Sequence, residues 1–139
     1  MTARRRTFKV VVWIGILLNW TFVGMALADP RHLIAALDLG ATDSTVWLFN
    51  YSVLLALLSC FYIPAAADPF RYRVNAWLLI AARFVPAATF FIGVSTGFLA
   101  NGFVTLGTAD SIIGSAELVL LVLLMRDGQL HPARETVSG

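Results

Sequence analysis

Charge is scarce in this chain. Ten basic and eight acidic residues make up 13% of its 139 positions, against about 25% in an ordinary soluble domain. So few charges cannot coat a globule of this size, which excludes a soluble enzyme and a disordered chain. Cysteine is scarcer still. The single Cys60 can close no internal disulfide and has no second thiol for a metal, so a disulfide-framed secreted domain is excluded as well. The two histidines, His32 and His131, fall outside the long apolar runs, so no pair of them can clamp a haem within a membrane. Phosphate-loop, Cys-x-x-Cys, His-Glu-x-x-His and Gly-x-Ser-x-Gly patterns are missing. No catalytic, cofactor or metal residue is expected. His32 with Asp29 or Asp38 is the weak metal alternative to a surface histidine near lipid headgroups.

What the chain has in abundance is apolar length: 59% of its residues are hydrophobic and its mean hydropathy is +0.81. A bilayer core needs about 20 helical residues at about 1.5 Å each. Four stretches qualify, at about 10–28, 46–67, 76–100 and 103–125. Residues 1–139 are therefore expected to form one all-α domain, a four-helix transmembrane bundle with short loops. In the first loop, 29–45, the run 30–37 reads as a short interfacial helix ended by Gly40. In the second, Asp68 followed by Pro69 reads as a helix start, a capping carboxylate before a proline. Residues 128–139 are polar and expected to be mobile.

Lys and Arg counts give an orientation. One side holds Arg4, Arg5, Arg6, Lys9, Arg71, Arg73, Arg126 and Arg134; the other holds Arg31, beside Asp29, Asp38 and Asp43. Both termini are expected to be cytoplasmic, in a bacterial inner membrane. The basic N-terminus beside an apolar run points to an anionic lipid surface and away from nucleic acid. Trp13, Trp47 and Trp77 suit an aromatic belt, whereas the deeper Trp20 is expected to pack. A competing reading of the N-terminus takes Arg5-Arg6-Thr7-Phe8 as part of a twin-arginine signal and Ala26-Leu27-Ala28 as a cleavage site. The apolar run of about 18 residues exceeds the usual signal core of about 7–15 residues, which favours a retained helix.

Arg83 and Glu117 are the informative residues, because charge within a span is costly unless paired or hydrated. Arg83 lies eight residues past Asn75 and Glu117 nine before Arg126, which puts both about 12–13 Å from the same end. Opposite charges at one depth are what a buried pair requires. Asn19 and Tyr62 reach that level and could satisfy leftover donors. Gly107, Asp110, Gly114, Glu117 and Leu121 recur at helical spacing as a small and acidic face, and Gly15 and Asn19 make a matching one. Asp110, seven residues before Glu117, would begin a path from the outer side. Two readings stay open: an internal pair that fixes helix register, or a site for a proton, a substrate or a quinone-like headgroup.

The plan of the chain resembles the small bacterial four-helix membrane proteins grouped as DoxX-like. The residues that carry the likeness are the proline-containing outer loop, the basic link Asp68-Pro69-Phe70-Arg71-Tyr72 and Arg83 in the third span. An acidic residue at the start of a middle span, associated with that family, is missing. The resemblance implies a membrane partner or small subunit, linked in some members to redox or respiratory systems, and transfers no catalytic residue. The expected function is a non-enzymatic subunit or assembly partner of a larger membrane complex. A small-molecule or proton transporter using Arg83 and Glu117 is the alternative, and a membrane enzyme a distant third. Expected partners are the bilayer and either a larger complex or further copies of the chain.

Overall fold

The computed structural model describes residues 3–41 and 44–130, with side chains up to Asp127. Asp43, His131, Arg134 and residues 131–139 of the expected tail lie outside the described residues. The described chain is all helical: α1 (Ala3–Ala28), α2 (Pro30–Ala36), α3 (Val46–Ala67), α4 (Arg73–Ser95) and α5 (Phe103–Leu130). α1, α3, α4 and α5 are each long and apolar enough to cross a membrane. Helix is the only open-ended structure that satisfies every backbone donor and acceptor within lipid, so uninterrupted apolar runs of this length resolve as helices.

The ends of the elements differ from hydropathy in instructive ways. α1 begins at Ala3, seven residues before the apolar run, because Phe8 is buried and Arg4 pairs with Asp127 at 2.7 Å. α4 stops at Ser95, although Phe98, Leu99 and Ala100 continue the apolar run. Gly97, at φ 74°, reverses the chain there. Its amide donates to the Val94 carbonyl at 3.0 Å and that of Phe98 to the Gly93 carbonyl at 2.8 Å; this paired pattern closes a helix on a left-handed residue. α5 continues through residue 130, so the first three residues of the expected tail are helical.

α2 is the short helix of the first loop. Asp29 caps it by accepting from the His32 amide at 3.0 Å, with Pro30 in the first turn. Its terminator is Asp38, at φ 51°, rather than Gly40. The amides of Asp38 and Leu39 return to the carbonyls of Ala35 and Ile34. The Asp68-Pro69 link also departs from expectation. Asp68 accepts from the amides of Phe70 and Arg71, at 3.1 and 3.2 Å, as a capping carboxylate does. The residues it caps form a turn, however, and α4 starts only at Arg73.

The four long helices form a ring in the order α1, α3, α4, α5. α4 with α5 and α1 with α3 are the closest pairs. The ion pairs Arg4–Asp127 and Arg5–Asp68 (3.1 Å) bring the start of α1, the α3–α4 link and the end of α5 to one end of the bundle. The backbone amides of Arg71 and Phe70, with the Arg5 guanidinium beside them, hold the Asp68 carboxyl below the usual carboxylate range.

Inside the ring lie two apolar clusters. Phe8, Val12, Ile16, Tyr62, Leu79, Leu121 and Leu124 fill the end nearest the termini. Ala26, Leu33, Leu48 and Phe103 fill the other, under α2. The outward faces carry large apolar side chains such as Leu17, Leu54, Val85 and Ile112. Trp20 belongs to this outer surface, at 47% exposure, and does not pack inside. Between the two clusters sits a layer of polar side chains.

Candidate functional site

Arg83 is the centre of that layer. α4 carries it inward, where it is 3% exposed. Its level on α5 is set by Gly114: a Cβ on that glycine would lie 2.8 Å from the Arg83 Cβ, so α4 and α5 touch there without an intervening side chain. Asp110 and Glu117 stand one turn to either side of Gly114, and the guanidinium lies between the two carboxylates.

The two carboxylates are used differently. Arg83 Nη1 donates to Asp110 Oδ1 at 2.8 Å and to Asn19 Oδ1 at 3.0 Å. Glu117 Oε2 lies 3.9 Å from Arg83 Nε, within ion-pair range but too far for a hydrogen bond. The expected Arg83–Glu117 pair is therefore present as a loose contact, and the tight partner of Arg83 is Asp110. The long arginine side chain allows this, because depth along the helix does not decide which way a guanidinium reaches.

Asn19 relays the network onward. Its Nδ2 donates to Ser59 Oγ at 3.0 Å, and the Ser59 hydroxyl donates to the Leu55 carbonyl at 2.8 Å. Tyr62 contributes its ring rather than its hydroxyl, with the Arg83 Cζ 5.6 Å from the ring centroid, a cation–π distance. Gly15 lets α1 approach, since a Cβ there would lie 2.5 Å from Arg83 Nη2. All five expected residues, Arg83, Glu117, Asn19, Tyr62 and Asp110, thus meet in one layer, with side chains from all four long helices.

Some of this layer is left without hydrogen bonds. Arg83 Nε and Nη2 and both Glu117 oxygens are buried with no hydrogen-bond partner among the described residues, and Glu117 is 0% exposed. Asp110 is more open, its side chain 20% exposed. It faces a cleft of about 160 Å³ lined also by Asn19, Phe22, Tyr51 and Leu106. Tyr51 is the lining residue that sequence reasoning missed. Its signal was available: Tyr51, Leu55 and Tyr62 fall at helical spacing on one face of α3. Among the described residues no group of three His, Cys, Asp or Glu side chains could hold a metal ion.

Chemically, the layer is an enclosed charge cluster, one guanidinium against two carboxylates, bounded on both sides by hydrocarbon. It ties the helices together through bonds that no water competes for. Comparison with family models, with curated proteins and with solved structures gives no match to this chain.

Proposed function

We propose that this chain is a small non-enzymatic subunit or assembly partner of a larger complex in a bacterial inner membrane, with both termini cytoplasmic. The observation that carries the reading is where polarity is placed. Arg83 and Glu117 are sealed inside the ring while the outward faces of all four long helices are apolar, so the molecule offers neighbours in the bilayer a surface and little reactive chemistry. The charge distribution supports the orientation. Arg4, Arg5, Arg6, Lys9, Arg71, Arg73 and Arg126 gather at one end and Arg31 stands at the other. The DoxX-like plan suggests that such a complex is redox or respiratory.

The test is native electrophoresis of the tagged chain after mild detergent extraction from its own membranes. The reading expects a second polypeptide to comigrate in fixed stoichiometry. Migration as this chain alone, in one copy or several, contradicts it.

The bare oxygens of Glu117 beside Arg83 favour a second reading, transport of a proton or small molecule through the layer. Flux into liposomes that contain only this chain, abolished by Glu117→Gln, is its expected result. No flux above empty liposomes contradicts it.

A further inference from the structure

We propose that the cleft between the outer halves of α3 and α4 binds a lipophilic organic cation, held by aromatic rings and by the uncompensated negative charge of the Asp110–Glu117 layer. α3 and α4 are joined by a short link at the end of the bundle that holds the termini. Towards the opposite end they leave a cleft of about 450 Å³, within the range of small-molecule sites. Phe22, Trp47, Tyr51, Phe90, Phe103 and Leu106 are among its walls. The rings are already assembled without a ligand. Phe103 lies 5.3 Å from Phe90 and 6.3 Å from Trp47, and Phe22 meets Tyr51 edge-on at 5.8 Å.

Aromatic walls alone would take any apolar molecule, including a lipid tail. Charge is what selects. Phe22, Tyr51 and Leu106 also line the smaller cleft that ends on Asp110 and Arg83, so the two spaces share walls. Asp110 Oδ1 is taken by Arg83, and its Oδ2 accepts no hydrogen bond among the described residues. With Asp110 and Glu117 both ionised, one guanidinium balances only one of them, and a negative charge is left over in a low-dielectric layer. A cation among the rings would offset that charge and interact with the ring faces as well. An anion of the same shape meets repulsion from both. The inference stands apart from the subunit reading, since a subunit with an empty cleft and a lone binding protein are equally compatible with it.

The direct probe is a pair of ions of nearly the same shape and opposite charge, tetraphenylphosphonium and tetraphenylborate. Equilibrium binding to the full chain in lipid nanodiscs is measured for each, with empty nanodiscs subtracted. Saturable binding of the phosphonium, with the borate weaker by about tenfold or more, is expected. Phe90→Leu keeps volume but removes a ring face, and Asp110→Asn removes the charge; each should weaken phosphonium binding by about tenfold. Because Asp110→Asn can also unfold the bundle, Phe90→Leu and the charge comparison on the unaltered chain decide the matter. Equal binding of the two ions, non-saturable uptake of the phosphonium, or an unchanged Phe90→Leu variant would each overturn the proposal.

Discussion

At the scale of the residue, Arg83 is one positive charge offered to two carboxylates, and the three are not interchangeable. Removing Arg83 leaves Asp110 and Glu117 buried together without a counter-charge. Removing Asp110 strips the guanidinium of its 2.8 Å partner. Both Arg83→Gln and Asp110→Asn should therefore cost about 3–5 kcal/mol, the range for breaking a buried pair. Glu117→Gln is different, because it removes the charge in excess and leaves the Arg83–Asp110 pair balanced. Its melting temperature in detergent should stay near that of the parent chain, and a loss as large as that of Arg83→Gln would refute this division of roles. Asp68 supplies a second expectation, at the membrane edge. Its carboxyl titrates below the usual range in the folded chain, so the stability it contributes is present above its unfolded pKa, about 3.9. That stability is lost as pH falls through the lower folded value. Melting temperature followed downward from pH 6 should drop more steeply for the parent chain than for Asp68→Asn, which has no such group to protonate. Parallel curves would remove Asp68 from the account.

At the scale of the element, small residues decide how closely helices approach. A methyl group at Gly114 would meet the Arg83 Cβ at 2.8 Å, a contact near the backbone that only a shift of α4 can relieve. Gly114→Ala should cost about 1–3 kcal/mol, as overpacking does. Gly24, also helical, has nothing within 4 Å of an added Cβ, and Gly24→Ala should leave the melting temperature unchanged or raise it. Equal effects at the two positions would mean that the α4–α5 approach is not tight. Much of this was legible in the sequence. The helical spacing of Asp110, Gly114 and Glu117, and the equal depth of Arg83 and Glu117, already pointed to one polar layer. What periodicity could not give was azimuth, and so whether Arg83 reached outward to Asp110 or inward to Glu117. Hydropathy likewise read Phe98, Leu99 and Ala100 as helix, because a transfer scale weighs side chains and is blind to the reversal at Gly97. Trp20 was misread for a related reason: depth in a span says nothing of which face a ring is on, and this one faces outward.

At the scale of the whole molecule, two apolar clusters are separated by a polar layer to which every long helix contributes. α1 supplies Gly15 and Asn19 to that layer and Phe8, Val12 and Ile16 to the core, so it belongs to the bundle as much as the other three. The gathered basic end makes a prediction for the assembled protein. In a Cys60→Ser background, a cysteine introduced at position 71 should resist an impermeant thiol reagent applied outside intact cells, and one at position 31 should react. The reverse pattern would invert the orientation. The central claim is that Arg83 and Asp110 hold the bundle together as a coupled pair, and a double-mutant cycle on global unfolding in mixed micelles measures it most directly. The account predicts that Arg83→Gln with Asp110→Asn loses less than the two single losses combined, since each single change already breaks the shared bond. Losses that simply add, within about 0.5 kcal/mol, would contradict it.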